Sequence, residues 1–130
     1  MEDSKKTTAR RALDIASRAA SIGFDWNDPH DVLDKIREEL DEIRDALDHD
    51  ASREHLIEEV GDLYFALVNF NRKMQIDSDE AFLVGVNKFE RRFRALEKII
   101  HDNGKSPDQL SQDELEDVWR RVKKEESNAH

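Results

Sequence analysis

Apolar residues in this chain recur at intervals of three and four and nowhere alternate with period two, so the pattern admits helices and no strands. Four glycines and two prolines in 130 residues leave long stretches without a helix breaker. The first helix is expected over about residues 5–21, with Ala9, Ala12, Leu13, Ala16 and Ala20 as a weak apolar stripe. "SIGFDWNDP" interrupts it: Gly23 suits a C-terminal cap, and Asp28 followed by Pro29 suits the start of a second helix ending near Leu47. Ser52 suits the N-cap of a third helix, which continues to about Met74. "DSDE" (77–80) and "SQDE" (111–114) both place a glutamate three residues after a capping side chain. The first opens a fourth helix that ends before Asn103-Gly104, and the second a short fifth helix ending near Lys124. The expected fold is all-α: a bundle of four main helices plus a short fifth, in one domain over residues 1–130, with flexible tails at about 1–6 and 125–130.

Two of these helices carry acid where apolar side chains belong. On a count of 100° per residue, Leu56, Val60, Leu63, Leu67, Phe70 and Met74 share one face of helix three. Glu59 falls inside that arc, and Asp62 lies roughly 60° further round at its border. Helix two repeats the relation: Glu39 intrudes on the face of Val32, Leu33, Ile36, Leu40, Ile43 and Leu47, and Glu42 sits at its edge. A carboxylate in an apolar face costs several kcal/mol unless a cationic side chain or a metal compensates it. With 31 Asp and Glu in the chain, acidic pairs at this spacing are also common on solvated surfaces. If the two helices pack antiparallel, all four carboxylates converge. An oxygen-only set suits a hard cation such as Mg²⁺ or Mn²⁺, and the Glu-x-x-His spacing of a di-iron bundle occurs nowhere.

Composition narrows the partners. Charged residues make up 40% of the chain, and the net charge of −10 argues against a nucleic-acid backbone. An anionic small molecule stays compatible when divalent cations mediate. The absence of cysteine excludes disulfides, zinc–thiolate sites and thiol nucleophiles. No apolar stretch approaches the ~20 residues that span a bilayer, and "MEDSKKTTARR" holds no signal-peptide core, so a soluble cytoplasmic protein is expected. Helix four is apolar at Phe82, Val86, Phe89, Phe93, Leu96 and Ile100, more than a monomer of this size covers, which points to a homodimer or higher homo-oligomer. Trp119, in register with Leu115 and Val122, reads as core, and Trp26 as a plug in the turn before helix two. His30, His49, His101 and His130 read as surface.

"EELDE…EEVGD" resembles the EExxE–spacer–ExxD signature of the MazG family of all-α nucleoside triphosphate pyrophosphohydrolases, here Glu38, Glu39 and Glu42, sixteen residues, then Glu59 and Asp62. The flanks "GFDW" (23–26), "GDLYFALVNF" (61–70), "NKFERRF" (87–93) and "VWRRVK" (118–123) extend the resemblance over about residues 13–124 and favour the C-terminal catalytic type. One departure stands at Val86, where the family usually has asparagine two places before the lysine.

The resemblance implies Mg²⁺-dependent cleavage between the α and β phosphates, giving a nucleoside monophosphate and pyrophosphate. It implies Glu39, Glu42, Glu59 and Asp62 as metal ligands, the four that the helical count isolates. Lys35, Glu38 and the turn from His55 to Glu58 match positions lining the nucleotide site, as do Lys88, Arg92 and Trp119, with Lys123 one turn beyond. A triphosphate brings about four negative charges, so metal must bridge it to the acids. Glu38 or Glu58 then accepts the proton of the attacking water, with Glu38 ranked first. Lys88 and Arg92, one helical turn apart, hold the leaving pyrophosphate or pair with the acidic cluster. With the resemblance, Trp119 moves from core towards stacking on the base. Two other readings stay open: a narrower dUTP/dCTP-type pyrophosphatase, and a non-catalytic acidic helical module that binds partner proteins.

Overall fold

Side-chain caps set where the helices begin. The computed structural model describes residues 6–129, and every regular element in it is helical. The elements are α1 (Thr8–Ser21), α2 (Pro29–Asp48), α3 (Arg53–Met74), α4 (Ser78–Asp102), a 3-10 turn at Pro107–Gln109, and α5 (Gln112–Asn128). Thr7 accepts the Arg10 N–H and starts α1, later than the expected residue 5, which lies outside the described residues, as does His130. Gly23, at φ +92°, closes the helix in the left-handed region, with the Phe24 N–H returning to the Ala19 carbonyl at 2.9 Å. Asp28 caps α2 with Pro29 in its first turn, and Ser52 caps α3 through the His55 N–H. Ser111 and Glu114 form the full reciprocal capping box on α5. That helix runs one turn past Lys124, carried on by the ion pairs of Glu126. The 3-10 turn, with its own box between Ser106 and Gln109, was not expected.

The residues cluster into two compact units, Met1–Ala81 and Phe82–His130, with α4 running across the division. In the first unit α3 packs against both α1 and α2. Its buried apolar residues are Ala16, Val32, Ala46 and Ala66, and three alanines among four let helix axes approach closely. Close approach brings polar side chains of facing helices within reach of one another. The buried line of α2 is Val32, Glu39 and Ala46, while Leu33, Leu40 and Leu47 lie exposed beside it. On α3, Val60, Leu67 and Met74 are likewise exposed. The apolar arc of each helix is wider than the seam that one partner covers.

In the second unit Leu96, Ile100 and Val122 are buried together, with Leu115, Val118 and Trp119 packed against them. Phe89 stacks on Phe93 at 6.1 Å and meets the Trp119 ring at 5.1 Å. Phe82, Val86, Phe89 and Phe93 are exposed. Among the described residues no helix is long and apolar enough to cross a membrane.

Candidate metal centre

The four-residue connection after Asp48 is short enough to return α3 alongside α2 as an antiparallel hairpin. That pairing brings Glu39 and Glu42, one turn apart on α2, to Glu59 and Asp62 on α3. Each of the four offers a carboxylate oxygen, and these oxygens all lie within 4.8 Å of one another. Their burial follows the helical count. Glu39, inside the arc, is 5% exposed, and Glu59 is half-buried. Glu42 and Asp62, at the border, are exposed.

Compensation is incomplete. Lys35 Nζ stands 3.2 Å from Glu39 Oε1, and His55 Nε2 stands 3.5 Å from Glu59 Oε1. The second oxygens, Glu39 Oε2 and Glu59 Oε2, are buried with no hydrogen-bond partner among the described residues. Such orphaned acceptors are costly unless something positive takes them up. The Glu59 carboxylate beside it, through side-chain contact and the repulsion of its charge, holds the Glu42 carboxyl above the ordinary carboxylate range. The hydrogen bond to Glu39 raises Lys35 above the usual lysine range. Four acids against one lysine and one histidine leave an excess of negative charge in a small volume. An oxygen-only donor set with two orphaned buried oxygens fits a hard divalent cation.

A cleft of about 300 Å³ opens beside the acids. Lys35, Glu39 and Asp62 line it together with Trp26, Phe65 and Asn69, over Val32 and Ala66. Asp25 fastens the preceding turn to the end of α3. Arg72 Nη2 donates to Asp25 Oδ1 at 2.6 Å, Lys73 Nζ reaches Oδ2 at 3.3 Å, and Lys73 also donates to the Trp26 carbonyl. Partial burial raises the Asp25 carboxyl, but the bonds from Arg72 and Lys73 outweigh it and leave it below its ordinary value.

Other residues singled out in the sequence fall in two places. Glu38 and Glu58 are exposed next to the cluster, Glu38 4.0 Å from Lys35 Nζ. Lys88, Arg92, Trp119 and Lys123 belong to the second unit. Arg92 pairs there with Glu126 at 2.9 Å. Lys88 and Lys123 are exposed and make no ion pair among the described residues. Trp26, expected as a plug, lines the cleft, and Phe65 and Asn69 were not anticipated there. Their spacing was a usable signal: Asp62, Phe65, Ala66 and Asn69 continue one stripe of α3 at i, i+3, i+4 and i+7.

Residues 27–96, more than half of the chain, match the MazG nucleotide pyrophosphohydrolase domain. The chain belongs to this MazG family. The matched segment contains both acidic pairs, Lys35, His55 and the pair Lys88 and Arg92. A Thermotoga maritima protein, nucleoside triphosphate pyrophosphohydrolase/pyrophosphatase MazG, is 38% identical over 109 residues, covering 84% of this chain and 41% of its own length. The nucleoside triphosphate pyrophosphohydrolase of Escherichia coli K12 is 38% identical over 117 residues, covering 89% of this chain and 44% of its own. An uncharacterized Bacillus subtilis protein, YabN, is 33% identical over 78 residues, 59% of this chain and 16% of its own length. The chain thus spans less than half the length of each of these curated relatives.

Proposed function

We propose that this MazG chain hydrolyses nucleoside triphosphates in the presence of Mg²⁺, cleaving between the α and β phosphates to release a nucleoside monophosphate and pyrophosphate. The observation that carries the reading is the pair of buried, unpartnered oxygens on Glu39 and Glu59 within a cluster of four carboxylates. Glu39, Glu42, Glu59 and Asp62 would hold Mg²⁺, or Mn²⁺ in its place. When bound, the ion neutralises charge on the phosphoryl oxygens and lowers the pKa of a water. The names of the two pyrophosphohydrolase relatives support the activity.

The chain's own side chains have separate tasks. Lys35 balances part of the acidic charge and His55 stands beside Glu59, each one turn from the acid it faces. Glu38 is exposed and tied to Lys35 only at 4.0 Å, so its carboxylate is available to accept a proton from the attacking water. Glu58, beside Glu59 in sequence, is the other candidate base. Lys88 and Arg92 take the charge of the leaving pyrophosphate, Arg92 through the same guanidinium that Glu126 holds in its absence. Trp119 and Lys123 are further nucleotide contacts. The exposed apolar stripes of α2, α3 and α4 fit a homodimer or higher homo-oligomer.

The test is pyrophosphate release from a panel of ribo- and deoxyribonucleoside triphosphates, with Mg²⁺ and with a chelator. Release that needs the metal, with monophosphate as the second product, supports the reading. Release of orthophosphate instead contradicts the bond assignment.

A further inference from the structure

We propose that the cleft beside the acidic cluster is a nucleobase slot in which Asn69 selects bases presenting a carbonyl oxygen over bases presenting an amino group. The proposal rests on the nucleotide reading above and adds to it the group that reads the base.

Asn69 is 7% exposed and lines the cleft. A primary amide can present either its oxygen or its NH₂, and here Arg72 decides which. A guanidinium only donates, so the atom 2.9 Å from Arg72 Nε must be the Asn69 oxygen. The NH₂ is the face left over, and among the described residues no acceptor takes it up. Arg72 cannot easily swing away, because its Nη2 is bound to Asp25 at 2.6 Å. The same Asp25 accepts the Trp26 N–H at 2.8 Å. One clamp therefore orients the amide and fixes the aromatic wall beside it.

Position along α3 gives the slot its direction. Asp62 and Asn69 are two turns apart on one stripe, about 10 Å along the axis. The acids stand at one end, where phosphate charge and metal belong. The amide stands at the other, with Phe65 and the small Ala66 between them. A ring entering between Trp26 and Phe65 brings its edge to an amide donor that no protein acceptor takes up among the described residues. A carbonyl oxygen there makes the missing hydrogen bond, and an amino group meets donor with donor. The exocyclic groups of the bases divide along this line: guanine, hypoxanthine and uracil carry oxygen where adenine and cytosine carry NH₂.

Two matched pairs test this without a change of size: inosine against adenosine triphosphate, and uridine against cytidine triphosphate. The expected wild-type result is a kcat/KM about tenfold higher for the oxo member of each pair. Asn69→Asp keeps the shape and leaves an oxygen for Arg72, but it turns the free face into an acceptor, so the ratios should invert. Binding of inosine and adenosine monophosphates in Mg²⁺, read by calorimetry, runs alongside. Turnover with equal rates within each pair, or with ratios unchanged in Asn69→Asp, overturns the slot and leaves the hydrolase reading standing. No turnover, yet tighter inosine monophosphate binding that Asn69→Asp reverses, supports the slot and overturns the hydrolase reading. Neither turnover nor binding overturns both. If Asn69→Asp does not fold, the wild-type ratios decide alone.

Discussion

The α2–α3 hairpin and the α4–α5 unit treat acidic side chains in opposite ways. In the second unit Glu126 is embraced by two arginines, Arg91 at 3.0 Å and Arg92 at 2.9 Å, and those bonds pull its carboxyl down to about 2. Charge and counter-charge are matched there. In the first unit four carboxylates share one lysine and one histidine, two of their oxygens are orphaned, and Glu42 is pushed up rather than down. Function is expected where the charge is unmatched. A satisfied pair stabilises a fold, whereas an unsatisfied cluster in a helical seam is tolerated for what it binds.

The largest effect should come from lowering the unmatched charge. Glu59→Gln keeps volume and helix but removes a ligand, and turnover should fall by at least about a thousandfold. Circular dichroism should be unchanged. A variant retaining most activity at saturating Mg²⁺ would erase the contrast between the two units.

Next comes Arg92, which belongs to both accounts at once. If it holds pyrophosphate, Arg92→Ala should lose roughly 30- to 1000-fold in kcat/KM. Glu126→Gln breaks the same ion pair while leaving the guanidinium in place, so its kinetics should stay near normal. Equal kinetic losses in the two variants would make Arg92 a structural residue only.

A smaller and separate effect concerns the exposed leucines of α2. If a second copy covers them, Leu40→Glu should weaken self-association by about a hundredfold or more, read as a lower mass at micromolar concentration by sedimentation. An unchanged mass would place any interface elsewhere.

The smallest effect is the acid response of the second unit. The Glu126 carboxyl is depressed in the folded state from an ordinary 4.5 to about 2. Its contribution is therefore fully present above about pH 4.5 and is lost as pH falls towards 2. Thermal melts of Glu126→Gln should show a flatter acid limb than wild type in that window. Identical limbs would mean that the arginine clasp is no better than a solvated surface pair.

Much of the hairpin was legible from periodicity, because a carboxylate at 100° spacing inside an apolar stripe has few places to go. Glu39 and Glu59 were separable from Glu42 and Asp62 on that ground, and the burial follows the same order. Capping residues located most helix ends for an equally local reason. The exposure of Leu33, Leu40 and Leu47 was not legible, since an apolar arc does not say which of its edges meets a partner. The partner of Arg92 was missed because Glu126 lies 34 residues away and was assigned to a tail. Asn69 was missed because an asparagine gains its meaning only from Arg72 and Asp25, one of them 47 residues from the other.

The first unit is expected to hold its carboxylates in mutual repulsion until a divalent cation binds. Melting temperature across an Mg²⁺ titration tests it, with wild type and Glu59→Gln side by side. Without metal the variant should melt above wild type, because one charge of the four is gone. With Mg²⁺ the wild type should rise, by about 2.7 kcal/mol of stability at a hundred times its Kd, and the variant should scarcely respond. Equal Mg²⁺ responses in the two proteins, or a variant less stable without metal, would contradict the account.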